Sequence, residues 1–145
     1  MWQTARFRKG QERKKLGVAV WNQYLHDTSS AAEDPSWEAP QMTLLMALAV
    51  ADGIRKVTGL STQIKWPNDI ILNGKKICGI LTEMSAEIDY INYVVVGVGI
   101  NCNQETFPEE LREKATSLKL ESGQEIQRAA VIAAVMGSLE LTIRF

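Results

Sequence analysis

A short segment in the middle of the chain carries four polar residues whose chemistry is complementary: Lys65, Asn68, Asp69 and Lys76. Between the last two lies Asn73-Gly74, the strongest short-range signal for a tight turn between two strands. The turn would bring Lys76 back beside the strand that starts near Asp69. Ammonium groups suit phosphate or acyl-phosphate oxygens, and Asp69 could help to hold Mg²⁺ near them. The segment predicts a site for a small anionic ligand, although its local chemistry also fits a polar hairpin end on the surface.

A later strand contains two glycines, Gly97 and Gly99, separated by one residue. Glycines at this spacing lie on one face of a strand and let a ligand or another backbone come close. The segment is a poor dinucleotide-binding fingerprint, because a third glycine is missing and Asn101 opens a loop instead of a helix.

The histidine and the cysteines indicate no other reaction. The sequence places neither a nucleophile nor a carboxylate beside His26, so we do not expect a histidine-based catalytic group. Cys78 and Cys102 lie in apolar surroundings without metal-ligand spacing. We expect them to be buried thiols in a reducing cytosol.

From about residue 39 onward, local signals agree on a set of helices and strands. A helix that starts near Glu38 is ended by Gly59 and carries apolar residues at helical spacing. Strands are predicted at 63–66, 70–72, 76–84 and 93–100, and a short helical piece starts near Phe107. A second amphipathic helix covers 125–141. Its predicted apolar side consists of Ile126, Ala130, Ile132, Ala133, Met136 and Leu139.

Residues 6–37 lack this agreement. The stretch 6–15 is a dense basic run without an apolar period, and 27–36 is polar and small, which is typical of a loop. A structureless segment of this length is unusual inside a small domain.

The composition is that of an ordinary globular protein. The chain has 145 residues, of which 46% are hydrophobic, and a net charge of −1, which fits one domain with a modest core. The chain has no excess of basic residues that would suggest a nucleic-acid partner. The apolar run at 42–51 is about half a membrane span, and a signal-peptide pattern is absent. We therefore expect a cytoplasmic protein without membrane attachment.

Three motifs, taken together, resemble the catalytic domains of biotin–protein ligases in their order and spacing. They are Lys65-Trp66-Pro67-Asn68-Asp69, the run from Gly74 to Glu83, and Val96-Gly97-Val98-Gly99-Ile100-Asn101. The resemblance covers about residues 39–140. Lipoate ligases and octanoyl transferases share the fold, but the first motif favours the biotin branch.

This resemblance implies an α+β fold, a mixed β-sheet backed by helices and related to class II aminoacyl-tRNA synthetases. It implies an ATP-dependent reaction with Mg²⁺ as cofactor, in which biotin and ATP give biotinyl-5′-adenylate and pyrophosphate. The adenylate then acylates a lysine on the biotin carboxyl carrier domain of a carboxylase. A homodimer is compatible with the resemblance.

The resemblance also implies a biotin-binding role for three residues. Lys76 matches the family's catalytic lysine, which contacts the biotin carboxyl and the acyl-phosphate oxygens and would stabilise negative charge there. Gln3 matches a glutamine that hydrogen-bonds biotin. Gly79 lets biotin come close to the strand backbone.

Three further residues are implied on the nucleotide side. Asn68 and Asp69 match residues at the nucleotide and its phosphates, and Asp69 is the implied metal ligand. Asn101 matches a contact on the adenine side.

The chain departs from the family pattern after Gln3-Thr4-Ala5. There the family has a loop rich in glycine and arginine, followed by Trp and Ser-Pro, whereas this chain has the basic run 6–15 with few glycines. Glycines allow backbone to wrap around a phosphate. We therefore divide the chain into an aberrant or frame-shifted segment, 1–38, and a partial catalytic domain, 39–145.

A reading-frame error would account for this departure. Plausible codons for residues 6–33, read one nucleotide later, restore a glycine-rich loop, the Trp, the Ser-Pro and a following strand in family order. Without that strand, one flank of the sheet would be unpaired. The alternative is a genuine, divergent insertion.

Three functional hypotheses follow. The chain is a working ligase whose basic segment replaces the loop, or it is a non-catalytic remnant that keeps part of the fold. The third is a ligase that also represses transcription. No helix-turn-helix segment precedes Gln3, so we expect no DNA-binding domain.

Overall fold

A computed structural model of the chain describes residues 16–22, 38–86 and 91–143. Gln3 and His26 therefore lie outside the described residues. The elements are, in order, β1 (Leu16–Asn22), α1 (Glu38–Thr58), β2 (Gln63–Lys65), β3 (Asp69–Leu72), β4 (Lys75–Ala86), β5 (Ile91–Ile100), a 3-10 turn (Glu109–Leu111), α2 (Leu118–Ser122) and α3 (Arg128–Ile143).

The five strands form one sheet in the order β1-β5-β4-β3-β2. All four neighbouring pairs are antiparallel. Where a mixed sheet was expected, parallel pairing within the described ranges is limited to a single bridge between Lys76 and Ala115. The α+β class, with helices against a sheet, is confirmed.

Helix α1 follows its sequence signals closely. Its buried face includes Met46, Val50 and Ile54, and Gly59, with φ of +72°, ends it by donating its N–H to the carbonyl of Arg55. Positive φ is easy for glycine because it has no Cβ. Near the start of the helix, the hydroxyls of Thr43 and Thr82 lie 2.6 Å apart and link α1 to β4.

The predicted apolar side of helix α3 is only partly the buried one: Leu139, and Ile126 just before the helix, are buried as predicted. The residues buried in the structure are Val131, Val135, Ser138 and Leu139, whereas Ala133 is exposed and Met136 is 39% exposed. The helix also begins at Arg128, not at residue 125. Apolar residues occur all round this helix, so their periodicity could not select a face.

A strand lies inside the segment that the sequence analysis left without regular structure. Strand β1 pairs antiparallel with β5, with Leu16 opposite Ile100 and Asn22 opposite Val94. The expectation of an unpaired flank was therefore wrong for this edge of β5. The β-branched and aromatic residues Val18, Val20 and Trp21 favour a strand, but the polar segments on either side hid this signal.

The two faces of the sheet have different surroundings. One face carries buried residues such as Ile80, Val98 and Ile100, and α1 covers it. Side chains alternate between the faces, so Gly79, Leu81 and Gly99 belong to the other face. Leu81 is 62% exposed, and none of the described helices covers this side at Leu81. Three residues of the anionic-ligand motif, Lys65, Asp69 and Lys76, also face this side.

No helix in the described parts of the chain combines the length and the apolar character needed to cross a membrane.

Candidate functional site

The hairpin of β3 and β4 brings Asp69 and Lys76 together. Its turn uses Asn73 and Gly74, which both have positive φ values of 50° and 78°, as a two-residue turn between antiparallel strands requires. Asp69 is the first residue of β3, and it pairs with Gly79 on β4. The predicted hairpin is thus confirmed.

A bulge in β4 decides the direction of the Lys76 side chain. Ile70 pairs with Cys78, but the next residue, Ile71, pairs with Lys76, so Ile77 is an extra residue. Three positions separate Lys76 from Gly79, and regular alternation would put them on opposite faces. The bulge reverses this parity. Ile77 is fully buried, and Lys76 shares the open face with Asp69.

Lys76 and Asp69 form an ion pair on that face. Nζ of Lys76 lies 2.5 Å from Oδ1 of Asp69, and the two side chains are 47% and 25% exposed. A Cβ added at Gly79 would lie 3.2 Å from both Cε and Nζ of Lys76. The lysine therefore lies across the strand where glycine leaves room for it.

Glycines continue across the sheet from this ion pair. Gly79 lies directly opposite Gly99 on β5, and Gly99 lies opposite Gly17 on β1. We call these three residues the glycine row. On its other side, Gly79 is opposite Asp69, which is opposite Lys65 on β2. The glycine row leaves backbone open to a ligand and ends at charged side chains.

A cleft of about 750 Å³ lies over this part of the sheet. The loop after β5 supplies one wall, which includes Phe107 and Leu111. Three lysines line the cleft against two carboxylates, and these residues are Lys65, Lys76, Lys114, Asp69 and Glu113. The excess of positive charge suits an anionic ligand.

Asn68 lies at the turn before β3, and its side chain is used within the fold. Its Nδ2 donates to the carbonyl of Ile80 at 3.1 Å, and its own carbonyl accepts from the N–H of Ile80 at 2.8 Å. Asn68 thus fixes the start of β3 against β4, next to Asp69. It is not among the residues that line the cleft.

Asn101 lines the cleft at the end of β5. Its Nδ2 donates to the carbonyl of Thr116 at 3.1 Å, and its Oδ1 accepts from Nε2 of Gln104 at 3.4 Å. The predicted loop after β5 is thereby folded back against the end of the strand.

Helix α2 and its glutamate, Glu121, were not predicted from the sequence. Ser117 caps the helix by accepting from the N–H of Leu120, and Gly123 ends it with φ of +71°. A serine followed six residues later by a glycine was the available signal for a short helix. From this helix, Glu121 accepts hydrogen bonds from Asn73 and Thr116.

The two cysteines are buried thiols, and Cys78 lies in the wall of the cleft. Both are free and buried, as predicted. Burial raises the pKa of Cys78 to about 12 and also raises the pKa of Cys102, because a thiolate is poorly solvated in an apolar interior. Cys78 is therefore a thiol at neutral pH, not a nucleophile.

A protein-built metal centre is also missing from the described residues, where no group of three potential ligand side chains occurs. Asp69 is the implied metal ligand, and its carboxylate is shared with Lys76.

Comparison with known proteins decides the family. The model of the biotin/lipoate A/B protein ligase family matches residues 14–101, a range that contains the ion pair, the glycine row and Asn101. The chain belongs to this family.

Individual relatives point to the biotin branch. The chain is 51% identical over 112 residues to the bifunctional ligase/repressor BirA of Bacillus spizizenii, which covers 76% of this chain and 34% of that protein. It is 42% identical over 65 residues to the biotin–[acetyl-CoA-carboxylase] ligase of Paracoccus denitrificans, covering 43% of this chain and 27% of that one.

The fold comparison agrees. The biotin protein ligase from Aquifex aeolicus in complex with biotin and ATP superposes with a TM-score of 0.70 at 27% identity. The match covers 90% of this chain and 50% of that one. The chain thus spans about a third of the first curated relative and about half of this solved structure.

Proposed function

We propose that the chain carries the catalytic part of an ATP-dependent biotin–protein ligase. It would join biotin to ATP to form biotinyl-5′-adenylate and then transfer the biotinyl group to a lysine of a biotin carboxyl carrier domain. The observation that carries this proposal is the Lys76–Asp69 ion pair beside the glycine row, inside the family-matched range. The biotin-ligase names of the relatives support the choice of substrate.

Biotin would lie along the glycine row with its carboxylate towards Lys76. The ammonium would contact the carboxylate first and then the negative charge that develops when it attacks the α-phosphate of ATP. Asp69 would keep the ammonium over Gly79, so that little reorganisation is needed when the substrates bind. Gln3, which lies outside the described residues, would donate to or accept from biotin.

Asn68, Asp69 and Asn101 would serve the nucleotide. Asn101 lines the cleft, and its Oδ1 has only a long bond to Gln104 to exchange for an adenine contact. Asn68 would act beside the phosphates while its amide holds the turn to Ile80.

Mg²⁺ would be held mainly by the triphosphate. Mg²⁺ in such sites keeps several waters and uses one or two carboxylates besides the phosphates, and a single carboxylate from Asp69 fits this donor set. The ion would offset phosphate charge. Asp69 would orient both the ion and Lys76.

A specific observation also supports a second candidate, a non-catalytic remnant. The basic run 6–15 contains one glycine, Gly10, where the family has several. Fewer glycines mean fewer backbone N–H groups that can surround a phosphate.

The test is biotin-dependent exchange of pyrophosphate into ATP, followed by biotin transfer to a carrier domain. We expect Lys76→Ala to lower the exchange rate by about ten- to a hundredfold, since a charge-assisted contact is worth about 1.5–3 kcal/mol. The matched control is Lys119→Ala. The ammonium of Lys119 pairs with Glu105, and this residue is absent from the cleft lining.

Unfolding in urea should give the same stability for both variants within about 0.5 kcal/mol, as is usual for exposed positions. Near-normal exchange by Lys76→Ala would remove Lys76 from the mechanism. If the chain lacks exchange activity and a version with a restored glycine-rich loop has it, the remnant hypothesis is the better one; comparable rates of the two versions would contradict it.

A further inference from the structure

We propose that Glu121 is a positioning residue for Lys76. Its carboxylate joins the two segments that fix the backbone of Lys76, the hairpin turn on one side and the loop before α2 on the other. The inference rests on the proposed function for its consequences in catalysis, but the geometry that supports it does not.

Lys76 needs support because it lies beyond the end of a neighbouring strand. Ile100 is the last residue of β5, and it pairs with Cys78. On that edge of β4, no residue of β5 is opposite Lys76. The loop supplies the missing partner: the N–H of Lys76 donates to the carbonyl of Lys114 at 2.8 Å, and the N–H of Thr116 donates to the carbonyl of Lys76 at 3.0 Å.

Glu121 holds the loop in this place. The hydroxyl of Thr116 donates to Oε1 of Glu121 at 2.6 Å, and Thr116 is only 3% exposed. A hydrogen bond to a carboxylate in a site with little water is among the stronger ones. The backbone of Thr116 is also bonded through its carbonyl to Asn101, so this residue connects the cleft, the loop and Lys76.

The second oxygen of the same carboxylate reaches the hairpin. Nδ2 of Asn73 donates to Oε2 of Glu121 at 2.6 Å. Asn73 is in the turn with φ of +50°, directly before the strand that carries Lys76. One carboxylate therefore ties the turn to the loop. The turn residue Asn73 is three positions before Lys76, and the loop is hydrogen-bonded to the backbone of Lys76.

If Glu121 acts through Lys76, its removal must matter only while Lys76 is present. A displacement of a reacting group by about 1 Å can lower the reaction rate by about a hundredfold. Because Glu121 acts on Lys76 only through the backbone, we expect Glu121→Ala to lower kcat for pyrophosphate exchange by about tenfold. The KM for biotin should change less, because Lys76 acts mainly in the transition state. In the Lys76→Ala background, Glu121→Ala should produce no further loss.

Two more variants sharpen the test. Glu121→Gln removes the negative charge but keeps an acceptor oxygen for Asn73 and can donate to the hydroxyl of Thr116. The bonds should be weaker without the charge, so the rate should lie between those of the wild type and Glu121→Ala. Glu105→Ala is the matched control, because it removes an exposed carboxylate that pairs with Lys119 and has no bond to the loop at 114–116 among those described. Its rate should equal that of the wild type.

A second measurement does not depend on activity. Amide hydrogen exchange of Lys76 reports the bond to Lys114, and exchange of Ile80, whose N–H donates to Asn68, reports the stability of the sheet. Glu121→Ala should speed exchange at Lys76 at least about tenfold relative to Ile80, as expected for local opening. Glu105→Ala should leave the ratio unchanged.

The outcomes separate this proposal from the proposed function. If no version has ligase activity, but amide hydrogen exchange at Lys76 is faster in Glu121→Ala, the proposed function is rejected and the structural role of Glu121 is kept. If Glu121→Ala leaves the rate of amide hydrogen exchange at Lys76 relative to Ile80 unchanged, the positioning role is overturned. An equal loss of kcat with and without Lys76 would also overturn it, since that pattern belongs to a general loss of stability.

Discussion

The ammonium of Lys76 lies beside Gly79, so close that a Cβ added to the glycine would be 3.2 Å from Nζ. The same Cβ would lie 3.8 Å from Oδ1 of Asp69. Gly79 is not one of the described glycines whose φ is positive. The site therefore needs glycine here for close approach of a side chain, not for backbone freedom.

Gly79→Ala should weaken the reaction without unfolding the protein. The added methyl would push the flexible end of Lys76 away by a few tenths of an ångström and would narrow the glycine row. We expect an about tenfold lower rate of biotin-dependent pyrophosphate exchange and little change in the unfolding midpoint. Gly97→Ala, whose Cβ would meet, in the described part of the chain, only the carbonyl of Leu81 at 3.7 Å, should lower the rate less. Equal losses would show that Lys76 does not depend on Gly79.

Gly53→Ala should destabilise the helix pair. Its Cβ would lie 2.6 Å from Cγ2 of Val135 and 2.7 and 2.8 Å from the backbone N and Cα of the same residue. A side chain can rotate, but backbone atoms cannot, so α1 and α3 must separate. We expect a loss of about 1–3 kcal/mol in the free energy of unfolding in urea.

Gly137→Ala, on α3, is the control for Gly53→Ala and should have the opposite effect on stability. A Cβ at this position would meet no described residue within 4 Å, and alanine in a helix interior is favoured over glycine by about 0.5–1 kcal/mol. We therefore expect a small gain in stability. If Gly53→Ala and Gly137→Ala changed stability by the same amount, the close contact between α1 and α3 would not be limiting.

The hydrogen-bonded cluster around Asp52 should make the free energy of unfolding depend on pH in the acid range. Its carboxylate accepts from Lys56 at 2.7 Å, from Ser138 at 2.7 Å and from Arg55 at 2.8 Å. Lys56, then Ser138 and Arg55, hold the pKa of Asp52 well below its ordinary value of 3.8. A lowered pKa in the folded state gives stability that is present above the ordinary pKa and is lost as the pH falls below it.

The measurement is urea unfolding of the wild type and Asp52→Asn between about pH 3 and pH 7. The wild type should be the more stable at neutral pH, and the difference should shrink towards the acid end. A difference that stays constant over this range would contradict the assignment of Asp52.

The reading-frame hypothesis predicts a specific pattern in the coding DNA. A single-base change near codon 5, compensated near codon 37, should restore a glycine-rich loop and Ser-Pro. The chain in its present frame should be slower than a repaired version by about two to four decades, because two lost contacts to the acyl-phosphate cost about 3–6 kcal/mol. Stop codons in the shifted frame, or equal rates of the two versions, would mark the segment as genuine.

Much of the fold could be predicted because the local signals agree with each other. Gly59 ends α1, and Asn73-Gly74 forms the turn of the β3–β4 hairpin, since both signals depend on backbone angles that few residues adopt. The buried side of α3 was predicted only in part, at Leu139, because apolar residues occur on all sides of this helix. Contact with α1 at Gly53 and Val135 selected the buried side.

The residue types of the site were determined by the sequence alone. Asp69, Lys76 and Gly79 bring charge and an open backbone to one hairpin, and Lys65 adds charge on the neighbouring strand β2. The spacing of these residues indicated both a small anionic ligand and the family. Only the tertiary structure decided that they share a face. Strict alternation from Gly79 would turn Lys76 towards the helices, and the extra residue Ile77 reverses its direction. The bulge persists because burial of Ile77 and the loop bonds to Lys76 stabilise it, and these are long-range contacts that no local pattern encodes.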